Sequence, residues 1–339
     1  MSIRLALRSI FIVVFLMMVG GTVAGPLEDA KVAYDHRDYA TALRLWRPLA
    51  DQGNAEAQKS LGNMYYQGQG VAQNYPEALK WYHLAADQGY ARAQNNIGNM
   101  YSNGQGVPQD YDEALIWYRK AADQGLAMAQ SRVGNMYFHG QGVPQSYAEA
   151  VKWYRLAADQ GHAEAQFNLG GMYYRGEGVE KDYAEAVKWC RKAADQGHAG
   201  AQTNLANMYF DGQGVPKDYA EGLKWSRKAA DQGDALGQFN LGVMYYEGQG
   251  VAQDYAEAIK WFRQAANQGH ASAQTNLGWM YLAGKGLPQD FVLAHMWSNL
   301  GAAQGDANAL KNRDEAAKNM TPAQIAKAQR LAREWKPNH

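Results

Sequence analysis

The sequence predicts an all-α chain, an α/α solenoid of stacked antiparallel helix pairs. Three observations predict it. Trp81, Trp117, Trp153, Trp189, Trp225, Trp261 and Trp297 stand 36 residues apart, and the tyrosines from Tyr65 to Tyr281 and the glycines from Gly53 to Gly305 keep the same step. Each step holds two stretches whose apolar residues recur at helical spacing. Glycines suited to a left-handed turn close both stretches. Residues 54–305 make 252 residues, seven times 36 without insertion. One such helix pair cannot bury its apolar face alone, whereas stacked pairs share one continuous core.

The elements follow in chain order. Residues 1–24 read as a secretory signal peptide: Arg4 and Arg8 are basic, Ile10 to Val19 are ten apolar residues, and Thr22-Val23-Ala24 offers a small-residue cleavage site before Gly25. Ten residues rise only about 15 Å as a helix, half a bilayer core, so a retained anchor is the weaker alternative. Export to the periplasm or the medium is the expectation, with no membrane span after cleavage. Residues 25–53 keep Asp38-Tyr39 and Gly53 in register but lack the Gly-x-Gly-Val loop, and are expected to form an abbreviated starting unit.

In the repeat 54–89 the first helix places Ala57, Gln58, Leu61, Gly62, Met64 and Tyr65 on one face, the expected core face. Gly62 permits a close helix crossing, and Gly68-x-Gly70 ends the helix. The second helix announces itself by Asp110, Asp182, Asp218 and Asp254, each followed three residues later by Glu113, Glu185, Glu221 and Glu257, the pattern of a capping box. Ser146 with Glu149 and Asn74 with Glu77 repeat it. Lysines at 152, 188, 224 and 260 stand i+3 from those glutamates on the expected solvent face. Residues 306–339 lose the pattern, Arg313 taking the place of Leu61. Thr321-Pro322 then opens a last helix, expected as a C-terminal cap.

Composition narrows the function. Lys+Arg 33 balance Asp+Glu 33, and removal of residues 1–24 takes away two arginines, leaving 31 against 33, a net of −2. Nucleic-acid binders carry a basic excess, so that class is excluded. A single cysteine excludes a disulfide framework within the chain and a four-cysteine zinc site.

The unit A-x-x-Q-x-x-L-G-x-M-Y-x-x-G-x-G-V-x-x-D-Y-x-E-A-x-x-W-x-x-x-A-A-D-Q-G resembles the Sel-one-like repeat, a relative of the tetratricopeptide repeat, in seven copies over 54–305. The resemblance implies a superhelix with a concave surface and an adaptor or scaffold role in envelope signalling, assembly or host contact. One branch of that family carries a disulfide in each repeat and is associated with β-lactam binding or hydrolysis. This chain departs from it: Cys190 stands alone, in a core-side slot where other repeats hold Tyr82, Tyr118, Tyr154 or Phe262.

No catalytic constellation emerges. None of the nine serines has lysine three residues on, and G-x-S-x-G and H-E-x-x-H are absent. The Gly-x-Gly pairs follow helices rather than strands and lack the third glycine of a nucleotide fingerprint. His162, His198 and His270 share the slot that opens a repeat, too far apart to share a metal, and read as solvated turn residues. The expectation is therefore no enzyme, no cofactor and no metal.

Binding is expected on the first helices, on the side away from the core. There Asn63, Asn99, Asn135 and Asn207 share one slot, broken by Gly171, Val243 and Trp279. Asn96, Asn168, Asn204, Asn240 and Asn276 share the slot three residues earlier. An amide both donates and accepts, which suits a peptide backbone or a sugar hydroxyl. Trp279, Phe167 and Phe239 are candidate exposed anchors. The slot of Tyr66, Phe138, Tyr174, Phe210 and Tyr246 borders the core and is expected to pack between repeats rather than stack on a sugar. A protein segment is the first ligand reading, with a polysaccharide or peptidoglycan module as alternative and a β-lactam or cell-wall hydrolase as a third.

Overall fold

The computed structural model describes residues 25–337; the expected signal segment, residues 1–24, lies outside them. Among the described residues the chain forms eighteen α-helices and no strand. α1 covers Pro26–Asp35 and α2 Tyr39–Asp51. Pairs follow: α3 Ala55–Gln67 with α4 Tyr75–Ala86, α5 Ala91–Asn103 with α6 Tyr111–Ala122, α7 Ala127–His139 with α8 Tyr147–Asp159, and α9 Ala163–Arg175 with α10 Tyr183–Asp195. Next come α11 Ala199–Asp211 with α12 Tyr219–Asp231, α13 Ala235–Glu247 with α14 Tyr255–Asn267, and α15 Ala271–Ala283 with α16 Phe291–Ala303. α17 Ala307–Lys318 and α18 Pro322–Glu334 finish the chain. None of these helices is long and apolar enough to cross a membrane. Contacts cluster into two units, one up to Ala93 and one from Gln94.

In the first unit Trp46, Leu61, Met64 and Trp81 form the core with the alanines of α1 to α3. In the second unit each core cluster spans a joint between repeats. Val151 and Tyr154 of α8 meet Leu169 and Met172 of α9 and Trp189 of α10. Val187 and Cys190 of α10 meet Leu205 and Met208 of α11 and Trp225 of α12. A second helix thus finds its apolar partner in the following repeat, which is why one pair alone has no core. Trp189 and Trp225 are only 4% and 3% exposed.

Buried glutamines bind the same joints. Gln130 Nε2 donates to the Ala122 carbonyl at 3.2 Å and Gln130 Oε1 accepts from Gln160 at 2.7 Å. Gln166, Gln202, Gln238 and Gln274 repeat the bond to a carbonyl eight residues back. An amide in this core-face slot satisfies the carbonyls that the preceding helix leaves open at its C-terminus.

Glycine enters where helices or loops touch. A Cβ at Gly134 would lie 2.7 Å from the Tyr154 ring, and one at Gly170 2.7 Å from Cys190 Sγ. Gly176 caps α9 in the left-handed conformation, φ +74°. Two residues later Gly178, φ +70°, presses on the start of α8, where a Cβ would stand 2.3 Å from the Tyr147 carbonyl carbon. Cys190 is fully buried, and burial pushes its thiol up to about 12.

Two expectations need correction. The aspartates before the second helices do cap them, Asp182 accepting from the Glu185 amide at 3.0 Å. The reciprocal bond that would complete a capping box forms only between Thr321 and Gln324 among the described residues. Glu185 and Glu257 turn forward instead, each accepting from the buried indole N–H four residues on, Trp189 and Trp261, at 3.1 Å. They also pair with Lys188 and Lys260. In these two repeats the glutamate serves the indole donor rather than the helix start, whereas Glu221 pairs with Lys224 and leaves the buried Trp225 indole without an acceptor. Nor are His162, His198 and His270 merely solvated: each Nδ1 accepts from the amide three residues on, at 3.2, 3.1 and 3.2 Å, and so caps α9, α11 and α15.

Beyond the repeats α18 packs against α16, and the Trp335 ring meets the Trp297 ring edge-on at 6.4 Å.

Candidate functional site

First helices of neighbouring repeats touch in the second unit, α11 with α13 and α15 with α17. The end of one first helix and the start or middle of the next leave shallow recesses. One, of about 320 Å³, lies between α7 and α9 and is lined by Asn135, Phe138, Glu164, Asn168 and Arg175 among others. A second, about 220 Å³, lies between α9 and α11 at Gly171, Tyr174, Arg175, Asn204 and Asn207. A third, about 190 Å³, lies between α13 and α15 with Val243, Tyr246, Glu247, Asn276 and Trp279 on its walls. The first unit has a recess of its own at Tyr34, Trp46, Lys59 and Asn63.

The asparagines named from the sequence are all half-buried. Asn63, Asn99 and Asn135 accept from the hydroxyls of Tyr82, Tyr118 and Tyr154 at 2.8, 2.8 and 2.6 Å. Amides of the other slot reach back to the preceding repeat: Asn168 Nδ2 donates to Asn135 Oδ1 at 3.4 Å, and Asn240 Nδ2 to Asn207 Oδ1 at 2.7 Å. The asparagine ladder therefore carries a structural load besides any contact with a ligand. Asn168, Asn204, Asn207 and Asn276 line recesses. Burial pushes the Tyr154 hydroxyl well above the usual phenol range.

Phe167 and Phe239 do not stand out as exposed anchors. Each is half-buried and stacked on the capping histidine of the next repeat, Phe167 on His198 at 4.5 Å and Phe239 on His270 at 4.6 Å. Other repeats hold Asn95, Ser131, Thr203 and Thr275 in that slot, all buried, and the first holds Lys59, half-buried. The helical wheel of a single helix misses this, because a first helix is covered on two sides, by its own partner and by the next repeat. Trp279 is half-buried in the recess wall, edge-on to Tyr246 at 5.9 Å. The aromatic slot packs, but chiefly within a repeat rather than between repeats: Tyr66, Phe138, Tyr174 and Tyr246 each meet the first tyrosine of the second helix of their own repeat.

Glu247, Lys285 and Tyr246 as a wall of the site are functional candidates beyond those expected from the sequence. A signal was there: Val243 and Trp279 are consecutive breaks in the asparagine slot, and Lys285 stands where Gln213 and Gln249 stand in the two preceding repeats. The arginines of the second helices, Arg119, Arg155, Arg191, Arg227 and Arg263, also lie beyond that expectation, each donating to a tyrosine hydroxyl of the next repeat. Among the described residues no group of three or more His, Cys, Asp or Glu could hold a metal ion.

The Sel1 repeat model matches eight consecutive segments, 37–54, 55–90, 91–126, 127–162, 163–198, 199–234, 235–270 and 271–306. A Sel1 repeat protein from Oxalobacter formigenes is similar at 34% identity, covering 71% of this chain and 97% of that one, with a TM-score of 0.65. The crystal structure of c5321, described as a protective antigen present in uropathogenic Escherichia coli strains and displaying an SLR fold, is similar at 31% identity over 91% of this chain and 75% of that one, TM-score 0.57. No curated protein matches the chain. The Sel1 fold is a scaffold typical of protein–protein interaction. With eight adjoining segments matched over residues 37–306 and 34% identity to a solved relative across 71% of its length, the chain belongs to the Sel1 repeat family.

Proposed function

We propose that this chain is an exported, non-enzymatic scaffold that holds an extended protein segment along the exposed side of its first helices. The observation that carries the reading is the row of recesses between successive first helices, each offering amide groups beside an aromatic ring. Amides meet the carbonyls and N–H groups of an extended backbone, and the recesses receive side chains at intervals. Export rests on the basic, apolar and small-residue order of residues 1–24. A carbohydrate ligand is the second reading, favoured by the recess in which Tyr174 stands beside Asn204 and Asn207. A ring face with flanking amides also suits a sugar.

The test is capture from periplasmic extract on immobilised chain 25–339, with Asn168, Asn204 and Asn276 changed to alanine in one variant. A second variant changes Lys152, Lys188 and Lys224 of the second helices to alanine. Each lost hydrogen bond is worth about 0.5–1.5 kcal/mol, so the asparagine variant is expected to bind its protein at least about tenfold more weakly. The lysine variant is expected to bind normally. The reverse pattern would move the site to the second helices. Capture that survives protease treatment of the extract but not glycosidase treatment would establish the sugar reading instead.

A further inference from the structure

The recess between α13 and α15 differs in chemistry from its neighbours. Its walls are Val243, Met280 and the rings of Tyr246 and Trp279, over a floor of Phe262, and its only charged lining residue is Glu247. By contrast, Arg175 lines both recesses that flank α9. The rings beside it already hold a cation. Lys285 Nζ lies 5.4, 4.8 and 5.6 Å from the ring centres of Tyr246, Tyr255 and Trp279. All three distances fall within the reach of a cation–π attraction, and such attraction strengthens where water is partly excluded. Lys285 belongs to the loop after α15 and is not among the recess-lining residues.

We infer that this recess is the anchor point for a lysine or arginine side chain of the bound segment. Its aliphatic stem lies on Val243, its charged head between the Tyr246 and Trp279 rings and the Glu247 carboxylate. The inference rests on the scaffold reading and specifies the partner: a basic residue must occur in the segment that crosses α13 and α15. The apolar walls suit the stem of a long side chain. The carboxylate gives the head an ionic partner, and the rings disfavour an acidic side chain through their negative faces. Lys285 shares those rings, so it competes with the incoming cation. The Gly-Lys-Gly loop in place of the Gly-Gln-Gly of the preceding repeat thus weakens the anchor.

The test uses chain 25–339 labelled with 5-fluorotryptophan, the Trp279 resonance being assigned through Trp279→Phe. The probes are N-acetyl-lysine methylamide and N-acetyl-arginine methylamide, with the norleucine and glutamate analogues as controls. The Trp279 fluorine signal is expected to shift saturably with the two cationic probes and not with the controls. Glu247→Gln, an exposed and conservative change, is expected to weaken that response at least threefold. Lys285→Gln is expected to strengthen it by a similar factor. No saturable shift in either the parent chain or Lys285→Gln, an equal response to the norleucine analogue, or an undiminished response in Glu247→Gln would each overturn the inference. Failure here is distinguishable from failure of the scaffold reading: protein capture that persists in the Glu247→Gln variant while the probes leave Trp279 unmoved removes the anchor and leaves the scaffold.

Discussion

The Tyr154 hydroxyl donates to Asn135 Oδ1 at 2.6 Å, from the second helix of a repeat to its first. Tyr154 is only 2% exposed, so its hydroxyl depends on the protein for an acceptor. Tyr82 with Asn63 and Tyr118 with Asn99 repeat the pair. Where the second helix carries Phe262, which has no hydroxyl, the facing position is Val243 rather than asparagine. In these three repeats the amide serves the phenol; Asn207, which faces Ser226, accepts from Asn240 of the next repeat instead.

Helix propensity alone makes Asn135→Ala neutral or stabilising by a few tenths of a kcal/mol. The hydroxyl reverses that sign. Asn135→Ala leaves a buried donor unmatched and is expected to cost about 1–3 kcal/mol in urea unfolding. Adding Tyr154→Phe to Asn135→Val, which copies the Val243–Phe262 pair, is expected to restore most of the loss. A double-mutant cycle reads the coupling directly. An Asn135→Ala protein as stable as its parent would mean that water serves the phenol.

Two glycines in one repeat separate conformation from crowding. Gly197, φ +89°, has nothing within 4 Å of an added Cβ, while at Gly178, φ +70°, that atom would stand 2.3 Å from the Tyr147 carbonyl carbon. Gly197→Ala is expected to cost about 1–2 kcal/mol, the left-handed penalty alone. Gly178→Ala must also move the loop away from α8 and is expected to cost clearly more. Thermal melts of the two variants check the order; equal melting temperatures would mean that the loop yields without cost.

The fold was legible because the repeat is written in residues with strong local consequences. Gly68-type caps, Asp182-type helix starts and the tryptophan step each fix a boundary, and seven copies removed the ambiguity of any one. The binding face was legible only in part. A helical wheel treats a helix as if it had one buried side, yet α9 and α13 have two, so Phe167 and Phe239 stack on His198 and His270 instead of facing solvent. The bond from the Trp189 indole to Glu185 is equally hidden in the pattern, because a glutamate four residues before a tryptophan recurs at Glu221 and Trp225 without forming it. The cation held by Tyr246, Tyr255 and Trp279 joins residues up to 39 apart across two repeats, which no pattern within one helix reveals.

The capping histidines predict a pH dependence. Nδ1 of His162 and of His270 accepts a helix amide, which requires that nitrogen to be unprotonated. Burial holds both rings below the ordinary value of 6.5. With the folded value depressed, the unfolded chain takes up protons more readily, so this contribution is complete above pH 6.5 and fades as pH falls below it. The melting temperature is expected to drop between pH 7.5 and 5.5. In His162→Asn with His270→Asn, which copies the Asn54 cap of α3, the drop is expected to shrink, each cap being worth about 1 kcal/mol. An identical drop in parent and double variant would assign the pH dependence to other groups, the buried His295 among them.

Removing one whole repeat tests whether stability is local. Deletion of residues 162–197 joins Gly161 to His198 and brings α8 against α11. The new joint has the same parts as the old one. Leu205 and Met208 stand in for Leu169 and Met172, Gln202 for Gln166, and the Tyr209 hydroxyl for that of Tyr173 opposite Arg155. His198 caps its helix as His162 does. One interface is lost and none is left uncovered, so the shortened chain is expected to keep its helical circular dichroism and a cooperative urea transition. Its slope should fall roughly in proportion to the surface removed. Trp189→Ala, by contrast, empties a buried site in a chain of full length and is expected to cost about 3–5 kcal/mol. A deletion variant that unfolds without cooperativity, or that suffers more than Trp189→Ala, would show that contacts beyond nearest neighbours hold this unit together.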